Sequence, residues 1–138
     1  MDIPTLFKRL VIGTTALYVL WLALPWIQDA FVSTEIADAL SWNGFGAVLP
    51  LPTGIAWLVA LLYVPVAIGL CSFSPSARWL FVALTVFLHI WSPLGGLRVE
   101  TALGATLGSI VTLGDGAVIT LAFTSPLRER FKSHESVA

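Results

Sequence analysis

The stretch that decides the fold is Ala102–Phe123, ALGATLGSIVTLGDGAVITLAF, a run of 22 residues with one charged side chain, Asp115. As a helix rising about 1.5 Å per residue it spans roughly 33 Å, which is enough for a hydrocarbon core of about 30 Å. Small residues recur at every fourth position: Gly104, Gly108, Thr112, Gly116 and Thr120. The pattern predicts a membrane span whose small-residue face packs against a neighbouring helix, with Gly104, Gly108 and Gly116 as packing residues.

The composition of the whole chain also indicates an integral membrane protein. Of its 138 residues, 57 % are hydrophobic and 11 % are charged, whereas about one quarter are charged in soluble domains. The length fits a single domain, 1–138. The single cysteine, Cys71, excludes an internal disulfide and a multi-cysteine metal cluster. We expect no metal, no cofactor and no nucleic-acid partner, and no catalytic spacing of the triad, HExxH or P-loop type is present.

Three further apolar runs complete a predicted all-α, four-helix membrane bundle. The spans are expected at about 6–27, 51–73, 77–94 and 102–123, followed by a basic tail, 124–138. A signal peptide shares the basic start of the first run, but the run is long and is interpreted as a retained span. In the polar connection between spans one and two, STEIADALSW predicts a short interfacial helix.

The distribution of basic residues predicts the orientation. All but one of the seven Lys and Arg residues fall on one side of the four-span arrangement: Lys8, Arg9, Arg78, Arg128, Arg130 and Lys132. The exception is Arg98. The positive-inside rule then places both termini in the cytoplasm and the connection 28–53 outside, as expected for a multi-pass protein of the bacterial inner membrane.

Polar side chains are predicted to form a layer near the middle of the bundle. Counting about 1.5 Å per residue from the cytoplasmic ends places one group at roughly 12 Å depth: Thr14, Thr85 and Asp115. A second group lies one turn further out: Tyr18, His89 and Thr112. Tyr63 falls between the two levels. Each span therefore contributes a polar group to a candidate binding layer.

Two interpretations of this layer stay open. In the structural one, Asp115 is neutral or hydrogen-bonded to hydroxyl groups, and the layer fixes the helix register. In the functional one, the layer binds a small solute, a proton or a quinone-like headgroup, because an intramembrane carboxyl is a candidate functional group. His89 is the only intramembrane histidine, so one chain cannot supply bis-histidine haem ligation. The GxxxG pair Gly104 and Gly108 predicts packing inside the bundle or a dimer face.

The layout resembles the DoxX-like group of small four-helix bacterial membrane proteins. The features in common are a basic start, a long outer first loop, and a tight inner turn leading into an arginine, here AIGLCSFSPSARWLFVAL over 67–84. The second span lacks the acidic residue that the resemblance implies. Members of this group are regarded as membrane partners of redox proteins, so the resemblance implies an accessory subunit and transfers no site residue.

The expected function is therefore a non-enzymatic accessory or scaffolding subunit of a membrane complex. The alternative is a small-solute carrier or a redox-linked protein that uses quinone or proton chemistry in the polar layer. A chain this small buries little surface, so besides the lipid bilayer we expect contacts with other membrane subunits or with a second copy. A small-molecule ligand is compatible with either function.

Overall fold

The computed structural model describes residues 2–28, 31–40, 45–49, 52–124 and 127–133. These residues form helices and no strand, which confirms the predicted all-α class for the described part of the chain. The helices, in chain order, are α1 (Ile3–Gln28), α2 (Thr34–Leu40), α3 (Thr53–Cys71), α4 (Pro75–Leu94), α5 (Ala102–Phe123) and α6 (Leu127–Ser133). The helix α5 has the bounds that its apolar run predicts, and α2 lies within the segment predicted as a short helix.

Among the described residues, three helices are long and apolar enough to cross a membrane: α1, α4 and α5. Helix α3 is 19 residues long, and its stretch Trp57–Cys71 is a shorter apolar helix. The helices thus have the length and composition of a membrane protein, and a fourth span stays a prediction.

The bundle is a ring of four helices, α1, α3, α4 and α5. Helix α1 packs against α5 on one side and α3 on the other, and α4 packs between α3 and α5. Helix α6 folds back onto α5. In this ring α3 and α5 occupy opposite corners, so only long side chains can connect them across the centre.

Aromatic packing holds together one end of the bundle, which we call the basic end. The rings of Phe7, Phe73 and Phe131 contact one another, with centroid separations of 5.4 to 6.0 Å. They bring together the start of α1, the turn between α3 and α4, and α6. The described part of the predicted basic tail is a docked helix, because Leu127 and Phe131 are fully buried.

Arg78 is buried at the basic end among aromatic rings. Its guanidinium carbon lies 4.6 Å from the ring centroid of Phe123 and 5.3 Å from that of Phe131. Two of its nitrogens, Nε and Nη1, have no hydrogen-bond partner among the described residues. Attraction between the cation and the ring faces offsets part of the cost of burying this charge.

The packing face of α5 includes the first two glycines of the predicted stripe, whereas its other three positions are exposed: Thr112, Gly116 and Thr120. A Cβ on Gly104 would lie 3.6 Å from Leu24 of α1, and one on Gly108 would lie 3.3 Å from the Nε1 atom of Trp21, so both glycines face α1. Gly116 is exposed, and a Cβ there would meet nothing within 4 Å. Gly116 therefore contacts no other helix among the described residues, and its packing role stays a prediction.

The reason for this difference is helical geometry. At 3.6 residues per turn, a stripe with a repeat of four drifts about 40° around the helix at each step. The buried positions alternate instead in steps of three, four and seven, which stay on one face: Gly104, Val111, Asp115, Val118 and Ala122. The close approach to α1 occurs at Gly114, where a Cβ would lie 2.5 Å from the Thr14 hydroxyl oxygen.

Candidate functional site

A hydrogen bond between Tyr63 and Asp115 connects opposite corners of the ring. The Tyr63 hydroxyl donates to Oδ1 of Asp115 at 2.5 Å, and both side chains are buried, at 2 % and 6 % exposure. The Tyr18 ring stacks on Tyr63 with centroids 4.1 Å apart. The Tyr18 hydroxyl donates to the carbonyl of Ala60 at 3.2 Å. Three helices therefore contribute to one buried contact.

The local sequence explains why these side chains meet. Gly114 lets α1 approach α5 until the buried Thr14 touches the glycine surface, which places Asp115 at the centre of the ring. In α3, Pro65 has no N–H to donate to the carbonyl of Leu61, so the backbone bonding of this turn is incomplete. The Tyr18 hydroxyl donates to the carbonyl of Ala60, the residue before Leu61 in the same turn. We call Thr14, Tyr18, Tyr63 and Asp115 the central cluster.

The remaining residues of the predicted polar layer lie outside the central cluster. His89 is exposed, and its Nδ1 lies 2.8 Å from the carbonyl oxygen of Thr85 in the same helix. Because a carbonyl only accepts, this nitrogen carries the proton. Thr112 is exposed on α5, and the Thr85 hydroxyl is buried without a partner among the described residues. The central cluster thus contains four of the seven residues that were predicted for the polar layer by their depth.

The chemical group at the centre of the cluster is a buried carboxyl that accepts a hydrogen bond from a tyrosine. Asp115 accepts one short hydrogen bond, and both side chains that form it are buried. Among the described residues no group of three or more His, Cys, Asp or Glu side chains is arranged to hold a metal ion. The hydrogen bond of the cluster can fix helix register, and its carboxyl group can hold a proton.

A second feature is a cavity of about 480 Å³ at the other end of the bundle, which we call the α2 end. It lies between the end of α1, helix α2, the α4–α5 connection and the start of α5. Its apolar wall is formed mainly by Trp21, Leu22, Leu24, Pro25, Ala37 and Leu40. Its polar side chains are Gln28, Arg98, Glu100 and Thr101.

The polar side of this cavity contains a partly exposed ion pair and a helix cap. The Nε atom of Arg98 pairs with Glu100, and the guanidinium carbon lies 4.7 Å from the centroid of Trp21. The Gln28 amide donates to the Thr101 hydroxyl at 2.6 Å. Thr101 also accepts from the backbone N–H of Gly104 at 3.2 Å and so caps α5.

Sequence reasoning missed this cavity because its walls come from four separate segments. One signal was available, since a threonine directly before an apolar run predicts a helix cap at Thr101. No sequence rule connects that cap to Gln28, 73 positions earlier in the chain. The pairing of Arg98 with Trp21 likewise depends on the packing of α1 against α5.

Comparison with known proteins finds no matching family model, no matching curated protein and no matching solved structure. Three features of the structure bear on what the chain can do: the central cluster, the cavity and the exposed side of α5. That third feature consists of small exposed residues on one helix face: Ser109, Thr112, Gly116 and Thr120. We call these residues the open face of α5.

Proposed function

We propose that the chain is a non-enzymatic accessory or scaffolding subunit of a complex in the bacterial inner membrane. In this proposal it crosses the membrane four times, and both termini lie in the cytoplasm. The observation that supports it best is the open face of α5. In a bilayer, small side chains such as Gly116 and Thr112 let the backbone of another helix approach closely.

The hydroxyl groups on this face are compatible with a dry helix contact. Ser109 donates to the carbonyl of Ala105 and Thr120 to that of Gly116, each at 2.8 Å. Because these two donors are satisfied within α5, they need no water and can be buried against an apolar partner. The central cluster likewise uses its polar groups inside the chain. The layout similar to DoxX-like proteins points in the same direction.

Copurification in a mild detergent tests this function, with Gly116→Leu as the disruptive variant. The added side chain would hold a partner helix away, so we expect the wild type to elute with a stoichiometric larger membrane subunit and Gly116→Leu to elute without it. The matched control is Gly13→Leu on α1, because Gly13 is also exposed and a Cβ there meets nothing within 4 Å. A wild type that elutes alone, or a Gly116→Leu protein that keeps the subunit, contradicts the proposal.

The proposed topology is tested by site-directed labelling of cysteines in intact cells. Single cysteines introduced at Ser33 and at Ser133, on a Cys71→Ser background, should react from opposite sides of the membrane. Ser33 precedes α2 and Ser133 ends α6, so the four-span arrangement separates them. Labelling of both positions from the same side would refute four spans.

A second candidate function uses the central cluster for a small solute, a proton or a redox-linked step. The observation in its favour is the Tyr63–Asp115 hydrogen bond, which places an ionisable carboxyl among buried aromatic rings. Asp115→Asn separates this candidate from the first. The asparagine oxygen can still accept from Tyr63, but the side chain cannot take up or release a proton. A stable Asp115→Asn protein that fails to complement a deletion strain favours the second candidate, and full complementation favours a structural role.

A further inference from the structure

We propose that the cavity at the α2 end binds a zwitterionic phospholipid with a primary ammonium group, of the phosphatidylethanolamine class. At about 480 Å³ the cavity falls within the range of small-molecule sites, roughly 300–1,000 Å³. It lies where α1 ends and α5 begins, which is the level of lipid headgroups for helices that cross a bilayer. The inference is independent of the scaffold role, because it concerns a different face of the molecule.

The charges at the cavity match a zwitterion. Arg98 and Glu100 stand side by side with opposite charges, and their side chains are 48 % and 24 % exposed. Such an exposed pair adds little to stability, so its charges are available to a ligand at small cost. Arg98 uses Nε for Glu100, and the rest of its guanidinium fork suits a phosphate oxygen. Glu100 can accept the N–H groups of a primary ammonium.

The apolar wall favours a lipid over a water-soluble zwitterion. Trp21, Leu22, Leu24 and Pro25 form one side of the cavity, and Leu40 of α2 adds to it. This wall suits the glycerol ester region and the first part of an acyl chain, which a free headgroup lacks. Tryptophan is also typical of the membrane–water interface.

The packing of Trp21 keeps this wall in place without a ligand. A Cβ on Gly108 would lie 3.3 Å from its indole nitrogen, so the glycine provides the room that the ring occupies. The Arg98 guanidinium lies 4.7 Å from the centroid of the same ring. The residue that would bind the phosphate is thus already positioned by the residue that forms the wall.

Native mass spectrometry of the purified protein tests the charge match. Dioleoyl phosphatidylethanolamine is titrated against the phosphatidylcholine and phosphatidylglycerol of the same chains. We expect the ethanolamine lipid to bind best, because choline has no N–H for Glu100 and glycerol has no positive charge. Glu100→Gln should weaken ethanolamine-lipid binding about tenfold, the effect of one charge-assisted hydrogen bond. The matched control is Glu129→Gln on α6, at the basic end, which should leave binding unchanged.

Filling the cavity tests its location. Ala37 lines the cavity from α2, whereas Ala39 on the same short helix is exposed and does not line it. Ala37→Phe should abolish retention of the ethanolamine lipid, and Ala39→Phe should retain it, with both proteins equally stable in detergent.

Four results would overturn the proposal. They are equal binding of the three lipids, equal effects of Glu100→Gln and Glu129→Gln, equal effects of Ala37→Phe and Ala39→Phe, or binding of free glycerophosphoethanolamine as tight as that of the lipid. The last would assign the cavity to a soluble zwitterion.

Discussion

Two faces of α5 contain glycine, and only one of them packs against another helix of the chain. Gly114 lies against α1, where an added Cβ would come within 2.5 Å of Thr14. Gly116 lies two positions later, about 200° around the helix, and faces open space. The same residue type therefore brings two helices of this chain together at one position and leaves a face uncovered at the other. What decides its role is the angular position on the helix.

The polar groups on the two faces also differ in what satisfies them. On the buried face, Asp115 accepts a hydrogen bond from Tyr63 of another helix. On the open face, Thr120 and Ser109 bond to carbonyls of α5 itself. A hydrogen bond between two helices fixes their relative position. A hydrogen bond within one helix does not determine what packs against that helix. The buried face thus fixes the fold, and the open face is available to a partner.

The largest expected effect is at Gly114, the glycine that lies against α1. Gly114→Leu should lower the free energy of unfolding by about 3 kcal/mol, because the side chain must displace Thr14 and separate α1 from α5. Gly116→Leu should change it by less than about 0.5 kcal/mol, since nothing lies near the added atoms. The measurement is reversible unfolding of the purified chain in detergent. Equal losses for the two variants would show that the two faces do not differ.

The second-largest loss of unfolding free energy is expected for substitutions at Asp115. Asp115→Leu leaves the buried Tyr63 hydroxyl without an acceptor and should cost about 2 kcal/mol. Asp115→Asn keeps an oxygen in the accepting position and should cost well under half of that. The comparison uses the same unfolding assay, and Thr112→Val on the open face serves as the control for losing a polar side chain. A destabilised Asp115→Asn protein would mean that the charge itself stabilises the cluster.

The sequence predicts the helices better than it predicts their contacts. Apolar run length and the threonine before it define α5, because both are local properties of the chain. A stripe with a repeat of four suggests one face, but over three steps it turns by about 120°, so Gly116 lies away from α1 whereas Gly114 lies against it. Depth counting brought Tyr18, Tyr63 and Asp115 to similar levels. It could not say which of them face the same centre.

Other features depend on tertiary packing alone. The docking of α6 requires Phe131 to meet Phe7 and Phe73, residues more than fifty positions away, and no local pattern encodes that contact. The cavity at the α2 end requires the end of α1 beside the start of α5. His89 looked equivalent to Tyr18 by depth, yet it lies on the exposed side of α4.

The smallest losses of stability are expected for the two tyrosines of the central cluster, and they should differ between the two. Tyr63→Phe removes the donor to Asp115 and should cost about 1.5 kcal/mol, since hydrogen bonds to buried carboxyl groups are stronger than average. Tyr18→Phe removes a longer bond, 3.2 Å, to a backbone carbonyl and should cost about 0.5–1 kcal/mol. Both phenylalanines keep the ring stack between positions 18 and 63, so the difference reports the hydroxyl groups alone.

A double-mutant cycle gives this last prediction its sharpest form. If Tyr63 stabilises the bundle through Asp115, Tyr63→Phe should cost much less in an Asp115→Leu background than in the wild type, because its acceptor is already gone. Tyr18→Phe should cost the same in both backgrounds, since its partner is Ala60 and not the carboxyl. Additive losses for Tyr63 and Asp115 would mean that each contributes through separate contacts. The buried face would then owe its stability to close packing at Gly114 more than to the bond across the ring.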